Sequence, residues 1–119
     1  MKLLTLNTHS LIEPDYEAKR EIFVSFIARE QPEVFALQEV NQTACAPLLE
    51  DIPAGYLPCP GNTVALKADN HAAAVARMLD ERGVHYHWCW FAVKIGYDKY
   101  DEAWRCSAVP PSPPPKTRC

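Results

Sequence analysis

Glu33-Val34-Phe35-Ala36-Leu37-Gln38-Glu39-Val40 is a short apolar run that ends in a carboxylate. An unbroken run of this length, rich in Val, Phe and Leu, predicts a strand over Val34–Gln38 that is buried on both faces. Pro32, just ahead of it, stops the helix that precedes it. Gln38 and Glu39 then fall at the strand's C-terminal end, the edge of an open sheet where ligands bind. A carboxylate there is well placed to hold a divalent cation. Taken alone, the pattern better fits a Glu that simply emerges into solvent.

Met1-Lys2-Leu3-Leu4-Thr5-Leu6-Asn7-Thr8-His9-Ser10 is a second apolar run ending in polar residues, with a strand predicted over Lys2–Leu6. Between the two runs, Ala18, Ile22, Phe23, Phe26 and Ile27 recur at three- and four-residue steps. That spacing predicts a helix over Tyr16–Glu30 with these residues as its buried stripe. Glu17 near its start suits the helix dipole. Strand, helix and strand in about forty residues make a βαβ unit with a right-handed crossover.

Leu4-Thr5-Leu6-Asn7 followed by Ala36-Leu37-Gln38-Glu39-Val40, with one helix between, resembles the endonuclease/exonuclease/phosphatase superfamily. The resemblance implies that Asn7 and Glu39 sit side by side on neighbouring strands. Glu39 would bind Mg²⁺, with Mn²⁺ as the other candidate, and Asn7 would orient the metal, the Glu and the phosphate.

Farther along, composition is less decisive. Asn41 to Asn62 is dense in Pro and Gly and reads as a loop, with one helical turn at Pro47–Glu50. A long loop beside a site often carries substrate contacts; an ordinary insertion fits equally well. A second helix is predicted over Asn70–Glu81, capped by Asp69 or Asn70 and stopped by Gly83, with Ala74, Val75, Met78 and Leu79 facing inward. The next strand is predicted over Val84–Val93, where His85, His87 and Cys89 alternate with Tyr86, Trp88 and Trp90. A zinc site could be drawn on the first three, but ligands from five residues of one strand lie too nearly in line for a tetrahedron. A packed strand is the better reading. Lys94–Glu102 reads as a loop dense in Tyr and Asp.

Asn7-Thr8-His9-Ser10, Gln38-Glu39-Val40, Ala68-Asp69-Asn70, and Ile95-Gly96-Tyr97-Asp98 followed by Asp101-Glu102 together look similar to a cytosolic branch of the superfamily. That branch includes maltose 6'-phosphate phosphatases and sphingomyelinase-like proteins. The resemblance covers residues 1–102 and implies that His9, Asp69, Asn70, Tyr97, Asp98 and Glu102 line the substrate site. As bland alternatives, Asp69 and Asn70 are helix caps and the others a solvated turn.

At Ala103 the family pattern breaks. A core strand of the form Gly-apolar-Ala-apolar-Leu-Ser-Arg is expected, but residues 103–119 carry five prolines and no helix or strand period. The tail is expected to be disordered or polyproline-like. Read one base earlier through GC-rich codons, Glu102–Ser112 permits Glu-Gly-apolar-Ala-apolar-Leu-Ser-Arg-x-Pro-apolar. A one-base frameshift near codon 102 is the expected cause.

The fold implied is α/β: the N-terminal half (1–102) of a four-layer αββα sandwich, followed by a tail over 103–119. The family's catalytic Asp-x-Asn pair, further metal-binding acids and general-base His belong to the second half and have no match here. This chain is therefore expected to be inactive and, with sheet edges uncovered, prone to aggregate. The intact parent is expected to be a metal-dependent phosphoester hydrolase acting on a small phosphorylated substrate, a sugar phosphate first. A phospholipid or nucleic-acid phosphodiester is second. A non-catalytic binding module, with Pro110–Pro115 as its recognition segment, is the alternative of another class.

Charge and cysteine usage bound these readings. The net charge of −3 gives no basic groove for nucleic acid, although all fifteen acids precede Ala103 and three bases follow it. Five cysteines, an odd number without a Cys-x-x-Cys pair, and no signal-peptide pattern suit reduced thiols in a cytosolic protein. No stretch is long enough to span a membrane.

Overall fold

Leu3–Asn7 (β1) and Val34–Gln38 (β2) lie side by side and parallel, in the register Leu3↔Val34 through Asn7↔Gln38. Tyr16–Glu30 (α1) makes the crossover between them. These elements come from a computed structural model, which describes residues 2–62, 64–96, 100–103 and 107–109, with 93–96 and the last two segments described through their backbone alone.

β2 is not uniformly buried. Phe35 and Leu37 are 2% and 1% exposed, while Val34, Ala36 and Gln38 are half-buried. One face of the strand therefore meets both helices, and the other is only partly covered. α1 turns a different stripe inward from the one expected. Val24 and Ile27 are fully buried and Phe23 and Phe26 half-buried, but Ala18 is exposed and Ile22 is 69% exposed. The helix is rotated so that Phe23 meets Phe35 edge-on, ring centroids 6.2 Å apart. It ends at Gln31, whose N–H donates to Ile27 O just before Pro32.

His71–Glu81 (α2) packs on the same core through Ala72, Val75 and Leu79. Asn70 is its cap: the side-chain oxygen accepts from Ala73 N at 3.0 Å. Gly83, at φ 80°, ends it.

Beyond Glu39 the chain departs from expectation. Val40–Thr43 forms a strand (β3), not a loop. Its polar residues are internal: Asn41 and Gln42 are both 0% exposed. Asn41 Oδ1 accepts from Leu11 N at 3.1 Å. Gln42 Oε1 accepts from Lys67 N and Asn70 Nδ2, each at 2.8 Å. Composition reads such residues as loop; here they bind neighbouring backbone inside the protein. Pro47–Glu50 makes no helical turn; Leu48 instead bridges antiparallel to Lys67.

The long strand expected over Val84–Val93 is broken. His87–Trp88 (β4) is two residues long, and Ala92–Gly96 (β5) begins afresh. The alternation survives the break, with Tyr86, Trp88 and Trp90 buried and His85, His87 and Cys89 turned outward. Side-chain hydrogen bonds also hold the aromatics: Tyr86 Oη to Pro32 O, Trp88 Nε1 to Ala54 O and Trp90 Nε1 to Val40 O. Tyr100–Ala103 (β6) pairs antiparallel with both β5 and β3, so part of Lys94–Glu102 is sheet, not loop.

Within the tail expected to be unstructured, Ser107–Val109 forms a short strand (β7), and residues 104–106 and 110–119 lie outside the described residues. β7 pairs antiparallel with β2 on one side and β4 on the other. Three residues without proline are enough to bridge two strands that otherwise leave hydrogen-bonding edges unpaired. The result is two sheets, ordered β1-β2-β7-β4 and β3-β6-β5. Glu39 is the joint between them.

Candidate active site

Parallel pairing in register brings the ends of β1 and β2 together, and with them Asn7 and Glu39. Asn7 Nδ2 donates to Glu39 Oε2 at 2.8 Å. Asn7 Oδ1 in turn accepts from His9 N at 3.2 Å, which folds the residues after β1 back over the strand end. His9 Nε2 stands 3.5 Å from the other carboxylate oxygen, Oε1. Its Nδ1 lies 3.1 Å from Glu13 Oε2, and Lys19 Nζ donates to Glu13 Oε1 at 2.5 Å. Lys19 first, then His9, hold the Glu13 carboxyl below the usual carboxylate range.

The backbone around the pair is strained. Glu39, His9 and Ser10 have φ of 56°, 54° and 45°, in the left-handed region that non-glycine residues rarely adopt. Ser10 secures this arrangement. It is 1% exposed; its hydroxyl donates to Glu39 O at 2.7 Å and accepts from Asn41 N at 2.9 Å. Thr8 adds bonds to Gln38 O from both its N–H and its hydroxyl. Strain held this tightly by surrounding hydrogen bonds is characteristic of functional sites.

The remaining expected site residues are placed differently. Asp69 braces β3: Oδ1 accepts from Thr43 N at 2.9 Å and Oδ2 from Thr43 Oγ1 at 2.5 Å. Asn70 caps α2 and donates to Gln42, fully buried. Both side chains are thus occupied in joining α2 to β3. Glu102 lies on β6 opposite Asn41, two residues beyond Glu39. Tyr97 and Asp98 lie outside the described residues.

Three residues that sequence reading did not place near the site gather beside it. Tyr16, Arg20 and His71 line a cavity of about 260 Å³ that also reaches Asn7, Thr8 and Ser10. Tyr16 and Arg20 stand four apart on one face of α1, a spacing visible in the sequence. The arrival of His71 from α2 is not.

Similarity to solved structures follows this geometry. The chain superposes on an endonuclease/exonuclease/phosphatase family protein from Leptotrichia buccalis C-1013-b with a TM-score of 0.74 and 27% identity, over 92% of this chain and 36% of that one. The fold is that of the endonuclease/exonuclease/phosphatase superfamily. An endonuclease/exonuclease/phosphatase from Beutenbergia cavernae DSM 12333 gives a TM-score of 0.54 and 18% identity, over 92% of this chain and 25% of that one. The chain thus spans about a third or less of the length of these proteins. No protein-family model and no curated protein matches the sequence.

For a divalent cation, the superfamily fold offers a partial donor set here. Glu39 presents hard oxygens from a carboxylate whose side chain is 32% exposed. Mg²⁺ is commonly held by one or two carboxylates while keeping several waters, so this donor fits it. Among the described residues no group of three His, Cys, Asp or Glu converges to complete a cage. The outward His85, His87 and Cys89 likewise form no such group, and His85 pairs with Asp80. Among the described residues no helix is long and apolar enough to cross a membrane.

Proposed function

We propose that this chain carries the metal-holding corner of a phosphoester hydrolase site, with Glu39 as the ligand to Mg²⁺ or Mn²⁺ and Asn7 as the residue that orients it. The observation that carries the reading is the 2.8 Å bond from Asn7 Nδ2 to Glu39 Oε2 at the C-terminal ends of adjacent parallel strands. The superfamily fold supports phosphoester hydrolysis as the reaction class.

The chain's own residues have definable tasks. Asn7 fixes one carboxylate oxygen and leaves the other directed toward His9. Ser10 clamps the Glu39 carbonyl, which keeps the carboxylate from swinging with its backbone. When bound, the metal polarises a phosphoryl oxygen and stabilises charge on the leaving oxygen. A small phosphorylated molecule, a sugar phosphate first, is the substrate class we assign to the complete site. The chain spans about a third of the length of the solved structure it superposes on, and by itself it is expected to bind the cation and not to turn over.

The test combines Mn²⁺ binding, followed by electron paramagnetic resonance, with hydrolysis of p-nitrophenyl phosphate by the full chain. One Mn²⁺ site is expected, competed by Mg²⁺, lost in Glu39→Gln and weakened in Asn7→Ala, with no turnover above buffer. Mn²⁺ binding that is absent, or indifferent to Glu39→Gln, overturns the assignment.

A further inference from the structure

The cavity beside the Asn7–Glu39 pair has a wall that the proposed hydrolytic reading does not use. It opens between the end of β1, the turn at Ser10 and the first turns of α1, and its polar wall on the α1 side is Glu13, Tyr16, Lys19 and Arg20, with His71 from α2. Its volume of about 260 Å³ is several times the roughly 30 Å³ share of one water.

Three of these side chains form one unit. Tyr16 Oη lies 2.7 Å from His71 Nδ1, and Arg20 Nη1 donates to the same oxygen at 3.5 Å. The Arg20 guanidinium sits over the Tyr16 ring, 5.0 Å from its centroid. His71 is 3% exposed. Burial first, and then the charge of Arg20, push its imidazole down to about 3, so the ring is neutral near pH 7. A neutral imidazole carries a single N–H. Arg20 can only donate, so Tyr16 Oη accepts from it, while the Tyr16–His71 bond runs in the direction the imidazole tautomer sets.

His71 Nε2 and Arg20 Nε are both buried, and neither has a hydrogen-bond partner among the described residues. Arg20 Nε is a donor. A buried donor without an acceptor costs about 1–3 kcal/mol. Lys19 is paired with Glu13, and both Glu13 oxygens are taken by Lys19 and His9. Arg20 makes no ion pair with a described residue. The wall thus offers a desolvated donor on a guanidinium that makes no ion pair with a described residue, beside an unpartnered imidazole nitrogen. The complementary ligand carries negative charge and accepts hydrogen bonds, which describes an oxyanion. Arginine's planar fork suits phosphate oxygens in particular.

We propose that this cavity is an oxyanion subsite, taking a phosphate-class anion on Arg20 and His71 beside the Asn7–Glu39 pair. The inference does not depend on hydrolysis or on a metal at Glu39. The occupant is either free phosphate or the acid group of a larger phosphorylated molecule whose body reaches toward Asn7.

The full chain, labelled with ¹⁵N, is titrated with inorganic phosphate and separately with glucose 6-phosphate, against chloride at the same ionic strength. The His71 Nε2 resonance is followed by long-range proton–nitrogen correlation. A saturable shift with phosphate but not chloride is expected, with affinity at least tenfold weaker in Arg20→Gln. In His71→Asn the amide keeps a partner for Tyr16 but removes the inner ring nitrogen, so a comparable loss is expected there from backbone amide shifts. Equal affinity for both probes assigns free phosphate; tighter glucose 6-phosphate assigns a larger molecule; either supports the subsite. Should a variant not fold, the wild-type titration decides. No saturable shift with either probe, or affinity unchanged in folded Arg20→Gln, overturns the proposal.

Discussion

Replacing Ser10 with Ala tests whether the joint between the two sheets is held as described. The hydroxyl is 1% exposed and makes two short bonds, donating to Glu39 O at 2.7 Å and accepting from Asn41 N at 2.9 Å. Losing the first costs about 1 kcal/mol, the usual net worth of an internal hydrogen bond. Losing the second deprives the N–H of a fully buried residue of this acceptor, at about 1–3 kcal/mol. Removal of one oxygen leaves too little space for water to substitute. The expected loss is about 2–4 kcal/mol, a large share of the stability of any domain this size. Urea unfolding read by tryptophan fluorescence is the assay, because Trp88 and Trp90 are buried. The midpoint should fall with an unchanged slope, since the surface exposed on unfolding is the same. A loss below about 0.5 kcal/mol would refute the claim that Ser10 anchors the Glu39 turn.

Further expectations concern the backbone, the buried imidazole and the joint residue. In Gly55→Ala the new Cβ would stand 2.3 Å from the Tyr86 carbonyl oxygen at a φ of +89°, whereas at Gly83, φ +80°, nothing lies within 4 Å. Differential scanning calorimetry should show Gly83→Ala costing about 1 kcal/mol and Gly55→Ala at least about 3 kcal/mol, because only the latter adds a backbone clash to the conformational cost. His71 has its pKa depressed from 6.5 to about 3 by burial, so the unfolded chain takes up the proton first. Stability from this residue is therefore complete above about pH 6.5 and falls toward pH 3, by up to about 1.4 kcal/mol per pH unit. Phosphate-free unfolding curves between about pH 4 and pH 7 should show a shallower slope in His71→Asn than in wild type. Glu39→Gly should be more stable than Glu39→Ala by about 1 kcal/mol in urea unfolding, since only glycine adopts φ 56° freely.

What was legible in the sequence is what local patterns encode. β2 over Val34–Gln38 and α1 over Tyr16–Glu30 match the expected bounds, because each has a clear period and a chemical stop at Pro32. The Asn7–Glu39 contact follows from one parallel pairing, itself set by a single crossover helix. The inward stripe of α1 was misread at Ala18 and Ile22, since a helix that also carries Phe23, Val24 and Ile27 has more apolar residues than its buried face can take. β3 was missed because Asn41 and Gln42 look like loop residues until their bonds to Leu11, Lys67 and Asn70 are seen. Asp69 and Asn70, expected to line the substrate site, bond to β3 and to the start of α2. Polar residues inside a protein brace distant backbone as often as they meet a ligand, and sequence spacing does not tell the two apart.

Glu39 shows why the chemistry and the fold meet at one residue. A strand that simply ended there would let its carboxylate swing into solvent, the bland reading of its sequence. Instead the chain turns at φ 56° and continues into β3 in the second sheet, so the carboxylate is fixed at the seam by backbone on both sides. Asn7, Thr8 and Ser10 reach this joint from the neighbouring strand end. A left-handed conformation costs a non-glycine residue about 1–2 kcal/mol, which glycine would avoid. Glycine at this position would serve the topology better than Glu does. The presence of a carboxylate where the fold favours glycine is therefore physical support, independent of any resemblance, for a functional rather than structural role at position 39.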